Sequence, residues 1–378
     1  MTNWDDLNED EMRRRGSLKW SAVDGQPISG HWVAEMDFAT SPQVATVLHE
    51  AVENGLLGYI PRPAAAAAKA ATADMYSQLN WHINDEDVWL VSSVLEGLRA
   101  MLRTLLPPDS TVVVPTPAYM PFLSLPQLFG HRVRQVPSRL VEGQWELDFD
   151  ALETAATDAQ MLILCNPWNP TGRVLTEEEL RQVEQIATRH GLLVFADEIH
   201  CPLVFDPATH IPYASLSEAA AAHTVTAVSA SKGYNVAGLQ CAQVVVTDAA
   251  LQEKWREADR FTAHPGTLGV LAVPAAYRES GAWLAQVKNY LQGNIELIEQ
   301  VLDGSELSWA RPQSTYLGWI DAAALGDKPA QRILERTGVR VNCGSTLGTG
   351  YERFIRFNFA SSREVVGRSL DRITALLG

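Results

Sequence analysis

Three polar side chains follow three successive apolar runs, each typical of a buried strand. The side chains are Asn169, Asp197 and Lys232, and the runs are Met161–Cys165, Leu192–Ala196 and Thr224–Val228. Burial at the end of a strand lowers the pKa of a lysine ammonium, so the amine of Lys232 becomes available as a nucleophile or base. Taken alone, Ser229–Asn235 is more often a surface loop with a solvated lysine. The other two strand ends favour a reactive amine.

The elements that position these side chains alternate between strand and helix. From about Val88 to Val246, nearly continuous apolar runs are separated by segments with helical spacing. This pattern predicts an α/β fold, with a large domain whose mostly parallel sheet is covered by helices. Ligands of such sheets lie at the carboxyl ends of the strands. Asn169, Asp197 and Lys232 are therefore expected at one edge of the sheet.

Two further features could bind an anion at that edge. A polar turn, Ser92-Ser93, comes before a predicted helix over Val94–Leu106. The first N–H groups of a helix lack partners within it, so those of this helix are available to an anion. Ser229 and Ser231 can donate to the same anion, such as a phosphate.

Tyr119 and Arg356 are held by their surroundings. Tyr119 lies in Pro115–Phe122, a segment with three prolines that fixes the ring either in the core or against a flat ligand. Arg356 interrupts the apolar run Phe354–Phe359. An arginine there needs an anion, either in a structural salt bridge or on a ligand.

The last hundred residues differ in texture from the preceding ones. A long helix over Ala282–Leu302, several short strands and a closing helix predict a smaller α+β domain. Near the other end, His31–Phe38 is apolar and strand-like. The predicted domains are 41–280 for the large domain and 1–40 with 281–378 for the small one.

The composition excludes several classes of protein. The chain has 378 residues, 46% of them hydrophobic and 20% charged, and a formal net charge of -15. Such an acidic protein is not expected to bind nucleic acid or anionic membranes. Met1–Glu11 lacks the layout of a signal peptide, and no apolar run is long enough for a membrane helix. The four scattered cysteines have no metal-site spacing, which predicts reduced thiols in a cytoplasmic protein without a metal site.

An amine, an acid, an amide and an arginine together suit pyridoxal 5′-phosphate and a small amino-acid substrate. The amine of Lys232 can bind the cofactor aldehyde. Asp197 can keep the ring nitrogen protonated, so that the ring accepts electrons from the substrate Cα. Asn169 can donate to the phenolate oxygen of the ring, and Arg356 can bind the α-carboxylate through two hydrogen bonds.

The chain resembles the fold-type I pyridoxal-phosphate enzymes of the class I/II aminotransferase family over nearly its whole length. The family motifs occur in order, as Asn-Pro-x-Asn-Pro-Thr-Gly, Asp-Glu-Ile-His, Ser-x-Ser-Lys and Arg-x-Asn-Phe. Within the family it is most similar to the cystathionine β-lyase branch, the MalY/PatB-type C–S lyases. The stretches behind this second similarity are Arg15–Trp20, Trp32–Phe38, Gly58-Tyr59, Asp197–His200 and Ala214–Glu218.

The resemblance implies a role for each matching residue. Lys232 would hold the cofactor and move the Cα proton, and Tyr119 would stack on the ring. Either of them would donate a proton to the leaving sulfur. Asp197 would pair with the ring nitrogen and Asn169 with the ring hydroxyl. The other implied cofactor contacts are His200 at the ring oxygen, Ser229, Ser231 and the N–H groups of Val94 and Leu95 at the phosphate, and Tyr59 at the phosphate of a neighbouring subunit in a homodimer. The implied substrate contacts are Arg356, Asn169 and Ala34.

Two positions depart from the family pattern. The residue eight positions after Lys232 is often basic in the family and lies on the phosphate, but here it is Gln240. Glu96 stands close to the expected phosphate. A carboxylate at that place is unfavourable unless it points away.

Two reactions begin with loss of the same Cα proton. The branch similarity favours a C–S β-lyase that cleaves cystathionine or related S-substituted L-cysteines to a thiol, pyruvate and ammonia. A class I/II aminotransferase is the alternative, and a pyridoxal-phosphate-binding regulator is a further one, since enzyme folds are reused for binding. A dinucleotide-dependent dehydrogenase is excluded because no GxGxxG follows a strand.

Overall fold

The computed structural model describes residues 4–378, so the first three residues of Met1–Glu11 lie outside the described residues. Its largest sheet has seven strands, and the predicted α/β fold is confirmed. In order across the sheet they are Val88–Val91, Ala242–Val245, Thr224–Val228, Leu193–Asp197, Met161–Cys165, Thr111–Thr116 and Arg132–Pro137. The three strands that precede Asn169, Asp197 and Lys232 are adjacent and parallel. Their carboxyl ends therefore share one edge.

Helices cover both faces of this sheet. Along the strand Met161–Cys165, Ile163 packs in one buried cluster while Leu162 and Leu164 pack in another. Alternate residues of a strand point to opposite faces, so both faces are buried. Between residues 4 and 378, no helix combines the length and apolar character needed to cross a membrane. The helices that precede the long helix of the C-terminal part are Glu9–Arg15, Pro42–Glu53, Arg62–Ser77, Val94–Thr104, Met120–Leu128, Phe149–Ala156, Glu177–His190, Glu218–Ala222, Ala230–Gly233, Ala249–Asp259 and Thr267–Pro274.

One strand departs from the parallel arrangement. Ala242–Val245 runs antiparallel to both of its neighbours, Val88–Val91 and Thr224–Val228. A parallel connection needs a long crossover, usually a full helix. The segment that returns from Val228 contains only the one-turn helix Ala230–Gly233 and a short 3₁₀ turn, so the chain re-enters the sheet in the opposite direction.

Local sequence signals set the helix ends. Thr176 and Glu179 form a capping box, in which each side chain accepts a hydrogen bond from the backbone N–H of the other. The same helix ends at Gly191, whose φ of 64° suits glycine. Ser93 caps the helix Val94–Thr104 by accepting from the N–H of Glu96 at 3.2 Å. The cap fixes the start of this helix at the sheet edge.

A second sheet has four antiparallel strands. Its core cluster draws most of its residues from Leu7–Phe38 and Val287–Ile373. This shared core supports the division into domains 41–280 and 1–40 with 281–378, which stays a prediction. The strands in order are Ser308–Trp309, Leu317–Asp321, Phe354–Asn358 and Asn342–Cys343, and the helices beside them are Gly281–Leu302, Pro329–Thr337 and Arg363–Thr374. Two small pairs complete the strands, Ser29–Gly30 with Val339–Arg340 and Arg139–Val141 with Gln144–Glu146.

The predicted strand over His31–Phe38 is wrong. Only Ser29–Gly30 is a strand, and the backbone that follows is irregular. The His31 carbonyl accepts from the N–H of Asn358 on a neighbouring strand, but the carbonyl groups from Trp32 onwards accept from side chains, as every buried carbonyl needs a donor. Arg356 donates to the Trp32 carbonyl, Lys232 to the Ala34 carbonyl, and Asn358 to those on either side of Ala34. The segment thus presents backbone acceptors to functional side chains.

Candidate active site

One cavity of about 360 Å³ lies at the carboxyl edge of the seven-stranded sheet. The structure brings all but one of the predicted site residues to its wall. Those present are Ala34, Val94, Leu95, Tyr119, Asn169, Asp197, His200, Ser229, Ser231, Lys232 and Arg356. The exception is Tyr59.

Lys232 lies on the one-turn helix Ala230–Gly233 that follows its strand. Its amine is buried and donates a 2.7 Å hydrogen bond to the carbonyl oxygen of Ala34. Burial, and secondarily the positive charge of Arg356, lowers the pKa of Lys232 to about 8. A substantial fraction of the amine is therefore uncharged at a mildly alkaline pH, as a nucleophile or base requires.

Asp197 is buried at the end of its strand, with 4% of the residue exposed. Among residues 4–378, its carboxylate accepts from the N–H of Ile199 at 3.1 Å and lies 3.8 Å from the thiol of Cys165. Neither partner is a cation, and burial raises the pKa of Asp197 to about 7. A buried carboxylate without a cationic hydrogen-bond partner can accept a hydrogen bond from a protonated ring nitrogen and stabilise its charge.

Arg356 is held by neutral acceptors. Its guanidinium donates to Asn169 Oδ1 at 3.0 Å, to the Trp32 carbonyl at 3.1 Å and to Asn342 Oδ1 at 2.6 Å. Burial lowers its pKa to about 10, so the group stays cationic at neutral pH. The charge is available for a substrate carboxylate, and the amide NH₂ of Asn169 stays free for another acceptor because its oxygen faces Arg356. Asn342 was not predicted as a site residue, because a polar residue at the start of a short strand does not indicate its partner.

His200 and Tyr119 also line the cavity. His200 is buried, and burial with the nearby charges of Lys232 and Arg356 lowers its pKa to about 3. Its Nδ1 has no hydrogen-bond partner within the described part of the chain. Tyr119 directly precedes the helix Met120–Leu128, and burial raises the pKa of its hydroxyl. Both residues are therefore neutral near neutral pH.

The predicted anion-binding end is formed by two helix starts. Glu96 points away from it, because its carboxylate binds Arg99 and the N–H of Ala263. Ser229 caps its own one-turn helix, accepting from the N–H of Ser231 and donating to the Cys241 carbonyl at 2.7 Å. Its hydroxyl proton is thus already engaged. Gln240 also lines the cavity.

Tyr59 lies outside the cavity and is fully exposed. It borders a separate surface groove, which Gln240 also lines. Its predicted contact with the phosphate of a neighbouring subunit stays a prediction.

These features fit pyridoxal 5′-phosphate. Among the described residues, Lys232 offers an amine of lowered pKa, Asp197 a buried carboxylate whose hydrogen-bond partners are uncharged, and His200 a buried nitrogen without a hydrogen-bond partner. The start of the helix Val94–Thr104 offers N–H groups to a phosphate. Each polar element of the cofactor thus has a complementary group on the wall.

Comparison with known proteins gives the same assignment. The model of the family described as aminotransferase class I and II matches residues 33–373. Cystathionine beta-lyase from Corynebacterium glutamicum is 33% identical over 372 residues, covering 97% of this chain and 98% of that protein. Cystathionine beta-lyase PatB from Bacillus subtilis (strain 168) is 31% identical and covers 96% of each chain. A crystal structure described as a putative PLP-dependent beta-cystathionase from Corynebacterium diphtheriae has a TM-score of 0.91 at 31% identity, covering 98% of each chain. The chain belongs to the aminotransferase class I and II family.

Proposed function

We propose that this protein is a pyridoxal-phosphate-dependent C–S β-lyase, which cleaves cystathionine or related S-substituted L-cysteines to a thiol, pyruvate and ammonia. The observation behind the proposal is the convergence of Lys232, Asp197 and Arg356 on one cavity. An amine of lowered pKa, a buried carboxylate with uncharged hydrogen-bond partners and an arginine held by neutral acceptors meet there. The relatives named cystathionine beta-lyase, at 33% and 31% identity, favour elimination over transamination.

The cavity would hold the cofactor through its own side chains. Pyridoxal 5′-phosphate, when bound, supplies a protonated ring that accepts an electron pair from the substrate Cα. Lys232 would bind its aldehyde, Asp197 its ring nitrogen and Asn169 its ring hydroxyl. The remaining proposed contacts are Tyr119, His200, Ser231 and the N–H groups of Val94 and Leu95. Ser229 would support Ser231, because its own hydroxyl already donates to the Cys241 carbonyl.

Arg356 would orient the substrate, and Lys232 would deprotonate it. Arg356, whose plane is fixed by Asn169 and Asn342, binds the α-carboxylate. Once the substrate amino group has replaced it on the cofactor aldehyde, the amine of Lys232 would take the Cα proton, and its lowered pKa suits that task. The Cβ–S bond then breaks, and Tyr119 or Lys232 donates a proton to the sulfur. The remaining three-carbon fragment takes up water to give pyruvate and ammonia.

We also propose a cytoplasmic homodimer with shared sites. Leu56, Leu57 and Tyr59 are exposed next to one another, and exposed apolar patches are typical of protein interfaces. The groove beside Tyr59 shares Gln240 with the cavity, which supports a contact from a second copy at the phosphate end. The four free cysteines support a reducing compartment.

An end-product assay tests the lyase function. Purified holoenzyme is incubated with L-cystathionine, and separately with S-benzyl-L-cysteine, without any keto acid. Pyruvate, ammonia and a thiol formed together over many turnovers from either substrate are the expected result. Turnover that appears only after a keto acid is added would contradict the proposal and identify an aminotransferase.

A further inference from the structure

One part of the cavity wall is apolar and adjoins Arg356. It consists of Leu18, Trp32, Val33 and Met120. The Trp32 carbonyl accepts from Arg356, so this wall lies beside the group that binds the substrate carboxylate. Leu18 is 61% exposed and therefore lies at the mouth of the cavity. A substrate anchored on Arg356 would extend its sulfur substituent along this wall.

Each charged side chain of the cavity already has a proposed role toward the cofactor or the substrate α-carboxylate. Within residues 4–378, its wall includes three of them, Asp197, Lys232 and Arg356. The first two serve the proposed cofactor and the third the α-carboxylate, and His200 is neutral because its pKa is lowered to about 3. A second ammonium or carboxylate on the leaving group would lose part of its water along this wall without gaining an opposite charge.

Arg340 packs on the ring of Trp32 and does not line the cavity. Its guanidinium carbon lies 3.6 Å from the centroid of the Trp32 ring, in a cation–π contact. The indole also donates from Nε1 to the carbonyl oxygen of Lys19 at 3.1 Å. One face and one edge of the indole are therefore fixed, so the ring is a rigid apolar surface in the residue whose carbonyl binds Arg356.

We infer that the preferred substrate has an uncharged, apolar leaving thiol, as in S-alkyl and S-benzyl L-cysteines, and that Trp32 selects it. The inference rests on the proposed lyase function and narrows its substrate class. The thiol that leaves cystathionine is homocysteine, which bears an ammonium and a carboxylate of its own. Neither charge meets an opposite charge on the wall formed by Leu18, Trp32, Val33 and Met120.

The test compares kcat/KM of the holoenzyme for S-benzyl-L-cysteine and L-cystathionine, measured by pyruvate release. We expect S-benzyl-L-cysteine to be favoured at least about tenfold, as apolar pockets commonly discriminate by such factors. Faster turnover of L-cystathionine would overturn this inference and leave the lyase function intact. Absence of pyruvate from both substrates would overturn the lyase function, and the inference with it.

Two pairs of variants test which residues determine the preference between the two substrates. Leu18→Arg adds a cation at the exposed mouth and should raise kcat/KM for L-cystathionine relative to S-benzyl-L-cysteine, whereas the neutral control Leu18→Gln should leave the ratio near the wild-type value. Trp32→Ala should lower kcat/KM mainly for S-benzyl-L-cysteine. Arg340→Gln should not lower turnover of L-cystathionine selectively; a selective loss would make Arg340 an anion site and overturn the inference.

Discussion

The amine of Lys232 and the carbonyl oxygen of Ala34 are joined by a 2.7 Å hydrogen bond. Tyr316 donates to the same oxygen at 3.0 Å. Ala34 belongs to the irregular segment after Ser29–Gly30, whereas Lys232 follows a strand of the seven-stranded sheet. The contact gives the amine a defined position whenever it is not bound to the cofactor.

Replacing Lys232 should remove the covalent link to the cofactor. Lys232→Ala is expected to lose the visible absorbance of covalently bound pyridoxal phosphate, because no other amine lines the cavity among the described residues. The absorbance spectrum of the purified variant measures this. Lys254→Ala, on an exposed helix position, is the control. An unchanged spectrum in Lys232→Ala would contradict the assignment.

Tyr316 should act through Ala34. Tyr316→Phe removes one of the two donors to this carbonyl, which should lower kcat by about fivefold, the equivalent of about 1 kcal/mol for one hydrogen bond, and leave KM nearly unchanged. Steady-state kinetics check the split between kcat and KM. Tyr213→Phe, whose hydroxyl contacts His223, is a control that also loses one hydrogen bond. A rise in KM alone would show that Tyr316 acts on substrate binding instead.

Arg356 should bind the substrate and not the cofactor. Arg356→Ala is expected to weaken amino-acid binding by about 2–3 kcal/mol, as for the loss of a hydrogen-bonded charge pair, while cofactor loading stays intact. Titration of the holoenzyme with an amino acid, followed by its absorbance, measures both. Arg368→Ala, in an exposed pair with Glu364, is the control. Loss of cofactor from Arg356→Ala would make the arginine structural.

Asp197 should make the cofactor-free protein less stable as the pH rises. Burial raises its pKa to about 7 from 3.8, so between these values the folded protein holds a proton that the unfolded chain has lost. The free energy of unfolding therefore falls by up to about 4 kcal/mol across that pH window and levels off above it. Asp197→Asn removes this term, so its stability advantage over the wild type should grow from about pH 4 to about pH 7.

Denaturant unfolding of both cofactor-free proteins at several pH values measures this difference. Asp327→Asn, at an exposed position, should follow the wild type throughout. Parallel pH profiles for Asp197→Asn and the wild type would contradict the raised pKa.

A buried ion pair should stabilise the N-terminal segment. Lys19 Nζ lies 3.0 Å from Asp37 Oδ2, and both side chains are almost fully buried. Asp37→Asn leaves the lysine charge without its counterion, which should lower the free energy of unfolding by about 3–5 kcal/mol. Glu364→Gln breaks the exposed pair with Arg368 and should cost less than about 1 kcal/mol. Equal losses in the free energy of unfolding of the two variants would show that the buried pair stabilises the fold no more than the exposed pair.

The strand ends were the most predictable part of the site. Asn169, Asp197 and Lys232 follow apolar runs whose length and flanking helices are visible in the sequence, and parallel strands must end at one edge. Arg356 was predictable for a different reason, since an arginine within an apolar strand needs a partner. These inferences depend only on local patterns and on the geometry of a sheet.

The rest depends on contacts between distant parts of the chain. Asn342 reaches Arg356 from the neighbouring strand, and no local pattern indicates that pairing. His31–Phe38 has the apolar composition of a strand, but its carbonyl groups from Trp32 onwards accept hydrogen bonds from side chains such as that of Asn358. The antiparallel strand Ala242–Val245 follows from a short connection whose path only tertiary packing determines.

The hydrogen bond between Arg356 and the Trp32 carbonyl spans 324 residues of chain. Chains fold domain by domain as they emerge from the ribosome, N-terminal segments first. The seven-stranded sheet is complete once Ala242–Val245 has emerged, but the Trp32 segment finds its partner only after Phe354–Asn358 has been made. The Trp32 carbonyl therefore gains its partner late in translation, so the group proposed to bind the substrate carboxylate is positioned after the three strands that precede Asn169, Asp197 and Lys232 have been made.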